Sequence, residues 1–145
     1  MSAAEVTKDL DVSIESFFEA ICDFSAYPNF VTGVHSVDIE KIEDGVNKVQ
    51  FDLEMVKRIQ YCIEAKQELS GDRGSLKWSL VESPFFNKND GEWSLEKLSD
   101  TKTRVSYSLD VDFNFPVPGL IKRSLIKKSL PKAIDDFYRE AKKRG

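Results

Sequence analysis

The sequence predicts an α+β fold in which a curved antiparallel sheet of about seven strands is lidded by a long C-terminal helix, with two short helices after the first strand. Three observations lead there. Apolar and polar residues alternate with a period of two through most of the stretch from Val34 to Phe115. The alternating runs are separated by short polar turns, which join antiparallel neighbours. Near the C-terminus, Ile126, Leu130, Ala133, Ile134, Phe137 and Ala141 recur at helical spacing, a stripe that needs a surface to cover. The alternation also excludes a doubly wound parallel sheet, whose strands are apolar on both faces.

Residues 4–12 open the chain with Ala4, Val6, Leu10 and Val12 on one side and Glu5, Thr7, Asp9 and Asp11 on the other, which predicts a strand; Lys8 breaks the pattern by falling on the apolar side. Ser13 stands at an N-cap position before IESFFEAIC. There Phe17, Phe18 and Ile21 make one apolar face and Glu15 sits near the positive helix end, so a helix is expected as far as about Asp23. The following FSAYPNFVTG contains Pro28 and Gly33. It is expected to be a short second helix or a tight irregular segment, with Tyr27 and Phe30 pointing inward.

Strand follows strand from there. Val37 and Ile39 lie in a run that ends at Glu43-Asp44-Gly45, and Val49, Phe51, Leu53 and Met55 then alternate with Lys48, Gln50, Asp52 and Glu54. Ile59, Tyr61, Ile63 and Ala65 lead to a turn at Ser70-Gly71-Asp72-Arg73-Gly74, after which Leu76, Trp78 and Leu80 form the next run. A loop is expected around Pro84 and from Asn87 to Gly91, before Trp93 and Leu95, a turn at Ser99 to Lys102, and a last strand with Val105, Tyr107, Leu109, Val111 and Phe113.

Burying that apolar face stabilises by roughly 1.5–3 kcal/mol per large side chain, and two short helices cannot cover it alone. The C-terminal helix is the expected cover, with Lys127, Lys128, Asp135, Asp136 and Lys142 largely outside its stripe. A proline inside a helix costs about 3 kcal/mol unless it lies near the start. Pro131, together with the out-of-phase Leu120, Ile121 and Leu125, therefore predicts a kink or break near Ser129 to Pro131, preceded by a shorter segment.

At 145 residues, 41% hydrophobic and 11% aromatic, the chain 1–145 is expected to form one folded domain around one core. No basic start followed by an apolar run opens it, and no run of about eighteen apolar residues occurs. Neither a secretory signal nor a membrane span is expected, and a cytoplasmic location is the default. Cys22 and Cys62 are set among apolar neighbours and read as inert buried thiols. His35 is the single histidine, and no carboxylate pair, nucleophile–histidine set, phosphate loop or metal-ligand spacing is visible. The net charge of -4 is segregated: Pro118 to Gly145 holds nine Lys/Arg against three Asp/Glu, leaving -10 on the first 117 residues.

At Asp23 and Tyr27-Pro28-Asn29-Phe30 the sequence resembles the D-x-x-x-Y-P-x-F segment of the polyketide cyclase/dehydrase-like branch of the START and Bet v 1-like (SRPBCC) superfamily. Val81-Glu82-Ser83-Pro84-Phe85-Phe86, followed by Gly91-Glu92-Trp93-Ser94-Leu95, is similar to that branch's G-P-F loop leading into a G-x-W-x-F strand. Thr103-Arg104-Val105 is similar to the opening of its last strand. The likeness extends over essentially the whole chain and implies the helix-grip (START/Bet v 1-like) fold. The branch includes coenzyme-Q-binding proteins and a ribosome-associated toxin family.

Members of this family hold hydrophobic ligands between the sheet and the long helix. The resemblance therefore implies a lining of Phe51, Leu53, Met55, Tyr61, Ile63, Trp78, Leu80, Trp93, Tyr107, Leu109, Leu130, Ile134 and Phe137, with Tyr27 and Phe30 near the mouth. The ligand it implies is a lipid, an isoprenoid quinone or a polyketide-like aromatic that is bound and carried or presented. The plain alternative is that these side chains fill a core. A cyclase/dehydratase activity is the enzymatic alternative, with Lys8, Tyr61 and Tyr107 as its polar candidates. No cofactor and no metal are implied.

The basic segment supplies a reading of a different class. Lys122, Arg123, Lys127 and Lys128, with Lys132, are interleaved with Leu120, Ile121, Leu125 and Ile126. They are candidates for docking on an anionic membrane surface or, on the toxin-family likeness, on a ribosome; a solvated helix face is the alternative. No DNA contact is expected, and the oligomeric state is left open.

Overall fold

The computed structural model describes residues 2–54 and 57–145. Strand β1, Ser2–Leu10, leads to helix α1, Ile14–Cys22. The Ser13 hydroxyl caps that helix by accepting from the Ser16 N–H at 3.1 Å, which satisfies one of its orphan donors. Ile14, Phe17, Ala20 and Ile21 lie on its buried side. A 3-10 turn, Phe24–Ala26, then precedes the short helix α2, Tyr27–Phe30. Pro28 falls in the first turn of α2, where the N–H it lacks has no helical partner anyway.

Six strands follow: β2 Val34–Glu43, β3 Val46–Glu54, β4 Arg58–Ser70, β5 Arg73–Glu82, β6 Phe86–Ser99 and β7 Lys102–Phe113. With β1 they form one seven-stranded sheet in the order β1-β7-β6-β5-β4-β3-β2, antiparallel at every pairing. Gly45 and Gly71 take φ of 78° and 58° in the two tightest turns, a region that glycine enters without penalty.

The expected loop from Asn87 to Gly91 is instead the first part of β6. Phe86 to Ser99 pairs with β7 almost throughout, and the turn-forming side chains are satisfied within the sheet. The Leu80 N–H donates to Asp90 Oδ1 at 3.2 Å, Lys88 Nζ lies 2.7 Å from Asp110 Oδ2, and the Trp78 indole donates to Asn89 Oδ1 at 3.3 Å. Tertiary pairing overrides the loop preference of these residues.

Past β7 the chain forms α3, Gly119–Ser124, a π-helical turn, Leu125–Ser129, and α4, Leu130–Arg144. The change of helix type falls where the break was expected. A π-turn widens the helix by one residue, which shifts the apolar phase, and it leaves Pro131 in the first turn of α4, where it is tolerated. Leu130, Ile134, Phe137 and Ala141 are buried along α4 as the stripe predicts; Asp136, expected outside, is buried with them. At the far end of α4, Arg144 reaches Glu19 at 3.0 Å and Asp23 and Glu140 at 2.9 Å, tying the helix to α1.

The core is thus not one uniform layer. Its main part lies between the sheet and α1, α2 and α4, whereas Ile59, Phe86 and Val111 form a separate small cluster with Leu80, Phe85, Phe113 and Phe115.

Candidate ligand-binding cavity

Between α4 and the sheet the main core opens into a cavity of about 320 Å³. Successive inward positions of the strands make one wall: Phe51 and Leu53 on β3, Tyr61, Ile63 and Ala65 on β4, Leu76 and Trp78 on β5, Asn89 and Trp93 on β6, and Tyr107, Leu109 and Val111 on β7. Phe24, Tyr27, Ala133 and Phe137 close it from the helical side. Thr32, Glu54, Ser129 and Lys132 also touch the space; all four are exposed, so they mark its rim.

Aromatic rings brace the walls against each other. Trp93 and Tyr107 stack with centroids 4.1 Å apart, and Phe51 stacks on Tyr61 at 5.1 Å. The Phe137 ring meets Tyr27 at 5.1 Å and Trp93 at 5.3 Å, both edge to face, so α4 is pinned to α2 and to the sheet. The Tyr27 hydroxyl donates to the Ile21 carbonyl, which spends its polar atom on holding α1 to α2. Burial pushes the Tyr27 phenol well above its ordinary pKa.

Tyr61 and Tyr107 differ from Tyr27 in that neither hydroxyl donates to a protein acceptor among the described residues. Burial pushes the Tyr107 phenol up to about 12. It raises Tyr61 as well, helped by repulsion from an ionised Tyr107 and opposed by the nearby Asn89 amide. Both are therefore neutral at physiological pH and available as proton donors. Beside them Asn89, only 5% exposed, uses its amide oxygen to accept from Trp78. Gly91 lies directly across from Trp78 in the neighbouring strand, and the indole packs over it: a Cβ there would stand 2.2 Å from Trp78 Cζ2.

The rim holds a charged knot. Asp136, 5% exposed, accepts from the Thr32 N–H at 3.0 Å and pairs with Lys132 Nζ at 2.9 Å and Arg139 Nη2 at 3.1 Å. Burial works to raise its pKa, but the Thr32 N–H and Lys132 outweigh it and hold the carboxyl below its ordinary range. The knot fastens the segment between α2 and β2 to α4 at the edge of the cavity.

Of the residues that the resemblance implied, Tyr27, Phe51, Leu53, Tyr61, Ile63, Trp78, Trp93, Tyr107, Leu109 and Phe137 meet at this cavity. Others do not reach it. Leu80 turns into the small cluster with Ile59 and Phe86, and Phe30 packs against the rings of both Tyr27 and Phe137. Leu130 and Ile134 are buried away from the space, because α4 turns Lys132, Ala133, Asp136 and Phe137 toward it, with Ser129 of the π-turn beside them. Lys8 is exposed on the edge strand β1 and stands apart from the cavity, its long stem able to carry the amine into water. Met55 lies outside the described residues, as does the Lys122 side chain. Arg123, Lys127 and Lys128 are exposed.

Several lining residues were absent from that set. Ala65 and Leu76 sit in phase with recognised inward positions and were legible from the alternation. Asn89 is also in phase with Trp93 through Gly91, but its polarity marked it as loop. Thr32, Lys132 and Asp136 carry no local signal, since their pairing joins segments far apart in sequence.

The cysteines are not part of the cavity lining. Cys62 is buried, and burial pushes the half-buried Cys22 thiol up to about 12, so it holds its proton.

No curated protein sequence matches the chain significantly. Among solved structures, a START superfamily protein from Mycobacterium smegmatis superposes with a TM-score of 0.85 at 19% identity, covering 99% of each chain. The Zhui aromatase/cyclase from a Streptomyces species gives 0.83 at 15% identity, over 99% of this chain and 94% of that one. Human StAR-related lipid transfer protein 5 gives 0.81 at 13% identity, over 96% and 74%. These likenesses establish the helix-grip fold of the START/Bet v 1-like proteins. The sequence profile for polyketide cyclase / dehydrase and lipid transport proteins matches residues 10–138, and the chain belongs to that family.

Proposed function

We propose that this protein binds a small hydrophobic molecule in the cavity between the sheet and α4 and carries or presents it. The observation that carries the reading is the cavity itself: aromatic and aliphatic walls around about 320 Å³, with polar groups confined to the rim and one patch of the sheet. Side chains that merely fill a core leave no space of this size. Small-molecule sites have volumes of about 300–1,000 Å³, so this one suits a single compact ligand. The family supports a lipid or a polyketide-like aromatic, and the resemblance to coenzyme-Q-binding proteins adds an isoprenoid quinone. Native mass spectrometry of the purified protein, with organic extraction, is the test. A retained hydrophobic molecule is expected; recovery of none, together with no uptake of a hydrophobic fluorescent dye, sinks the reading.

The likeness to an aromatase/cyclase supports a second reading, turnover of a bound polyketide. Its acting groups are Tyr61 and Tyr107, which as neutral phenols donate a proton or hydrogen bond to a developing enolate oxygen rather than act as bases. Cyclisation of an aromatic polyketide chain, lost in Tyr61→Phe or Tyr107→Phe, is the expected result; no product from the wild-type protein removes it.

A docking role rests on a different observation. Leu120 is 75% exposed, close in sequence to exposed Arg123, Lys127 and Lys128 and just ahead of Ser129 and Lys132 on the cavity rim. Such a patch suits an anionic lipid surface. Reversing Arg123, Lys127 and Lys128 to glutamate lowers pelleting with phosphatidylserine vesicles if the role is real, and unchanged pelleting removes it.

A further inference from the structure

An apolar cavity that merely received hydrocarbon would gain nothing from hydrogen-bonding groups left open on its wall. This one has three. Asn89 is 5% exposed, and its amide is oriented by Trp78: an indole N–H only donates, so the atom it meets at 3.3 Å is the amide oxygen and the amide nitrogen faces elsewhere. That nitrogen is directed at the Tyr61 oxygen, which leaves its second N–H open, and neither the Tyr61 nor the Tyr107 hydroxyl donates to a protein acceptor among the described residues. The three groups are neighbours. Asn89 approaches Tyr61 closely enough to influence its ionisation, and the Trp78 ring that donates to Asn89 lies 6.0 Å from the Tyr107 ring.

These groups are not sealed in the protein. Among the described residues, the one buried side-chain oxygen or nitrogen wholly shut from solvent space and without a partner is Asp110 Oδ1, on the other side of the sheet. The Asn89, Tyr61 and Tyr107 side chains instead line the cavity. Asn89 also lies deep: it is 5% exposed, against 48% for the Lys132 side chain on the rim.

We infer that Asn89, Tyr61 and Tyr107 form a hydrogen-bonding subsite on the sheet wall that receives the oxygenated end of the ligand, so that the ligand enters acceptor-first. The inference rests on the ligand-binding reading above and narrows it. The ligand class is a compact apolar molecule with a carbonyl or phenolic oxygen at its buried end, as opposed to a lipid held with its hydrocarbon tail innermost and its head group at the rim. All three groups donate: the amide N–H always, and the phenols because burial keeps them protonated. Carbonyl oxygen is the matching acceptor, and each bond formed in place of an unpaired donor raises affinity by roughly two- to tenfold.

The test uses two tricyclic probes of the same outline, anthracene and anthraquinone, which differ in two carbonyl oxygens. Trp78 and Trp93 are the two tryptophans of the chain and both line the cavity, so quenching of intrinsic fluorescence reports binding there. The wild-type protein is expected to bind anthraquinone roughly tenfold or more tightly than anthracene. Tyr61→Phe, Tyr107→Phe and Asn89→Leu each reduce that preference, read as the ratio of the two affinities within each variant, several-fold. Equal affinity for the two probes, or a preference retained in all three variants, overturns the subsite and leaves the carrier reading standing. Binding of neither probe also overturns it; the carrier reading falls too only if native mass spectrometry and dye uptake are negative. Asn89→Leu strips Trp78 of its acceptor, so if that variant does not fold, the two isosteric Tyr→Phe variants decide.

Discussion

Replacing Gly91 with alanine tests how the cavity wall is held. The new Cβ stands 2.2 Å from Trp78 Cζ2, 2.6 Å from Trp78 Cε2 and 2.8 Å from the Ser108 carbonyl oxygen. The carbonyl belongs to the paired strand β7 and cannot rotate away. The indole can leave only by giving up its 3.3 Å bond to Asn89 and its place beside Tyr107. Overpacking of a filled site costs about 1–3 kcal/mol, and the lost hydrogen bond adds about 1 kcal/mol. For a chain of this length an unfolding entropy of about 2.1 cal/mol/K per residue makes each kcal/mol worth about 3 °C of melting temperature. Gly91→Ala is therefore expected to lower Tm by roughly 7–13 °C and to change tryptophan emission, as Trp78 leaves its seat. Circular-dichroism melts and emission spectra measure both. Gly71→Ala is the control. It introduces a Cβ with nothing within 4 Å but at a φ of 58°, so it costs only the roughly 1–2 kcal/mol of left-handed backbone and leaves emission unchanged. A Gly91→Ala protein that melts within about 2 °C of wild type with unaltered emission refutes the reasoning.

The other predictions concern the groups that hold the cavity's edges. Asp136→Asn keeps an acceptor for the Thr32 N–H but removes the charge that faces Lys132 and Arg139, and it lowers stability at neutral pH by roughly 1–2 kcal/mol. Because the folded Asp136 pKa is depressed, the unfolded chain takes up its proton more readily. The stabilisation is present above the ordinary carboxylate pKa and is lost as pH falls through the folded value. Melts across pH should show the curves of the wild-type protein and the Asp136→Asn variant converging in acid; a constant gap contradicts the linkage. Tyr27→Phe leaves the Ile21 carbonyl without its donor and shifts the urea midpoint down by about 1–2 kcal/mol of stability, with no shift counting against a structural role for that hydroxyl. Arg144→Ala frees Glu19, Asp23 and Glu140 together and should cost about 1–2 kcal/mol, less in high salt; a salt-independent loss points to packing of the arginine stem instead.

Much of the fold is legible because its signals are local and periodic. The Ser13 cap, the alternation of Phe51 and Leu53 or of Tyr61, Ile63 and Ala65, and the turns at Gly45 and Gly71 each specify a short piece of backbone, and short turns leave antiparallel pairing as the consequence. The misplaced loop at Asn87 to Gly91 shows the limit. Its residues favour turns in isolation, and they become strand because β7 pairs with them and the side chains of Trp78 and Asp110 meet the polar groups of Asn89 and Lys88. Within the cavity the same division holds. The inward parity of a strand locates Tyr61, Trp78, Trp93 and Tyr107, whereas the helix stripe misleads: Leu130 and Ile134 face packed core, and the cavity meets the adjoining, more polar row Ser129, Lys132, Ala133 and Asp136.

The C-terminal helix shows both sides of the distinction. The sequence by itself determined that it has an apolar face, that Pro131 interrupts its course, and that a sheet with one dry face awaits it, because periodicity and proline chemistry act within a few residues of chain. Only the tertiary structure decided which part of that face packs and which part borders open space, that Asp136 is buried against Thr32, and that Asn89 turns its amide into the cavity. Those outcomes depend on partners brought together by the sheet from distant positions, and a polar side chain carries no mark in its own neighbourhood of the donor or acceptor that will make its burial favourable.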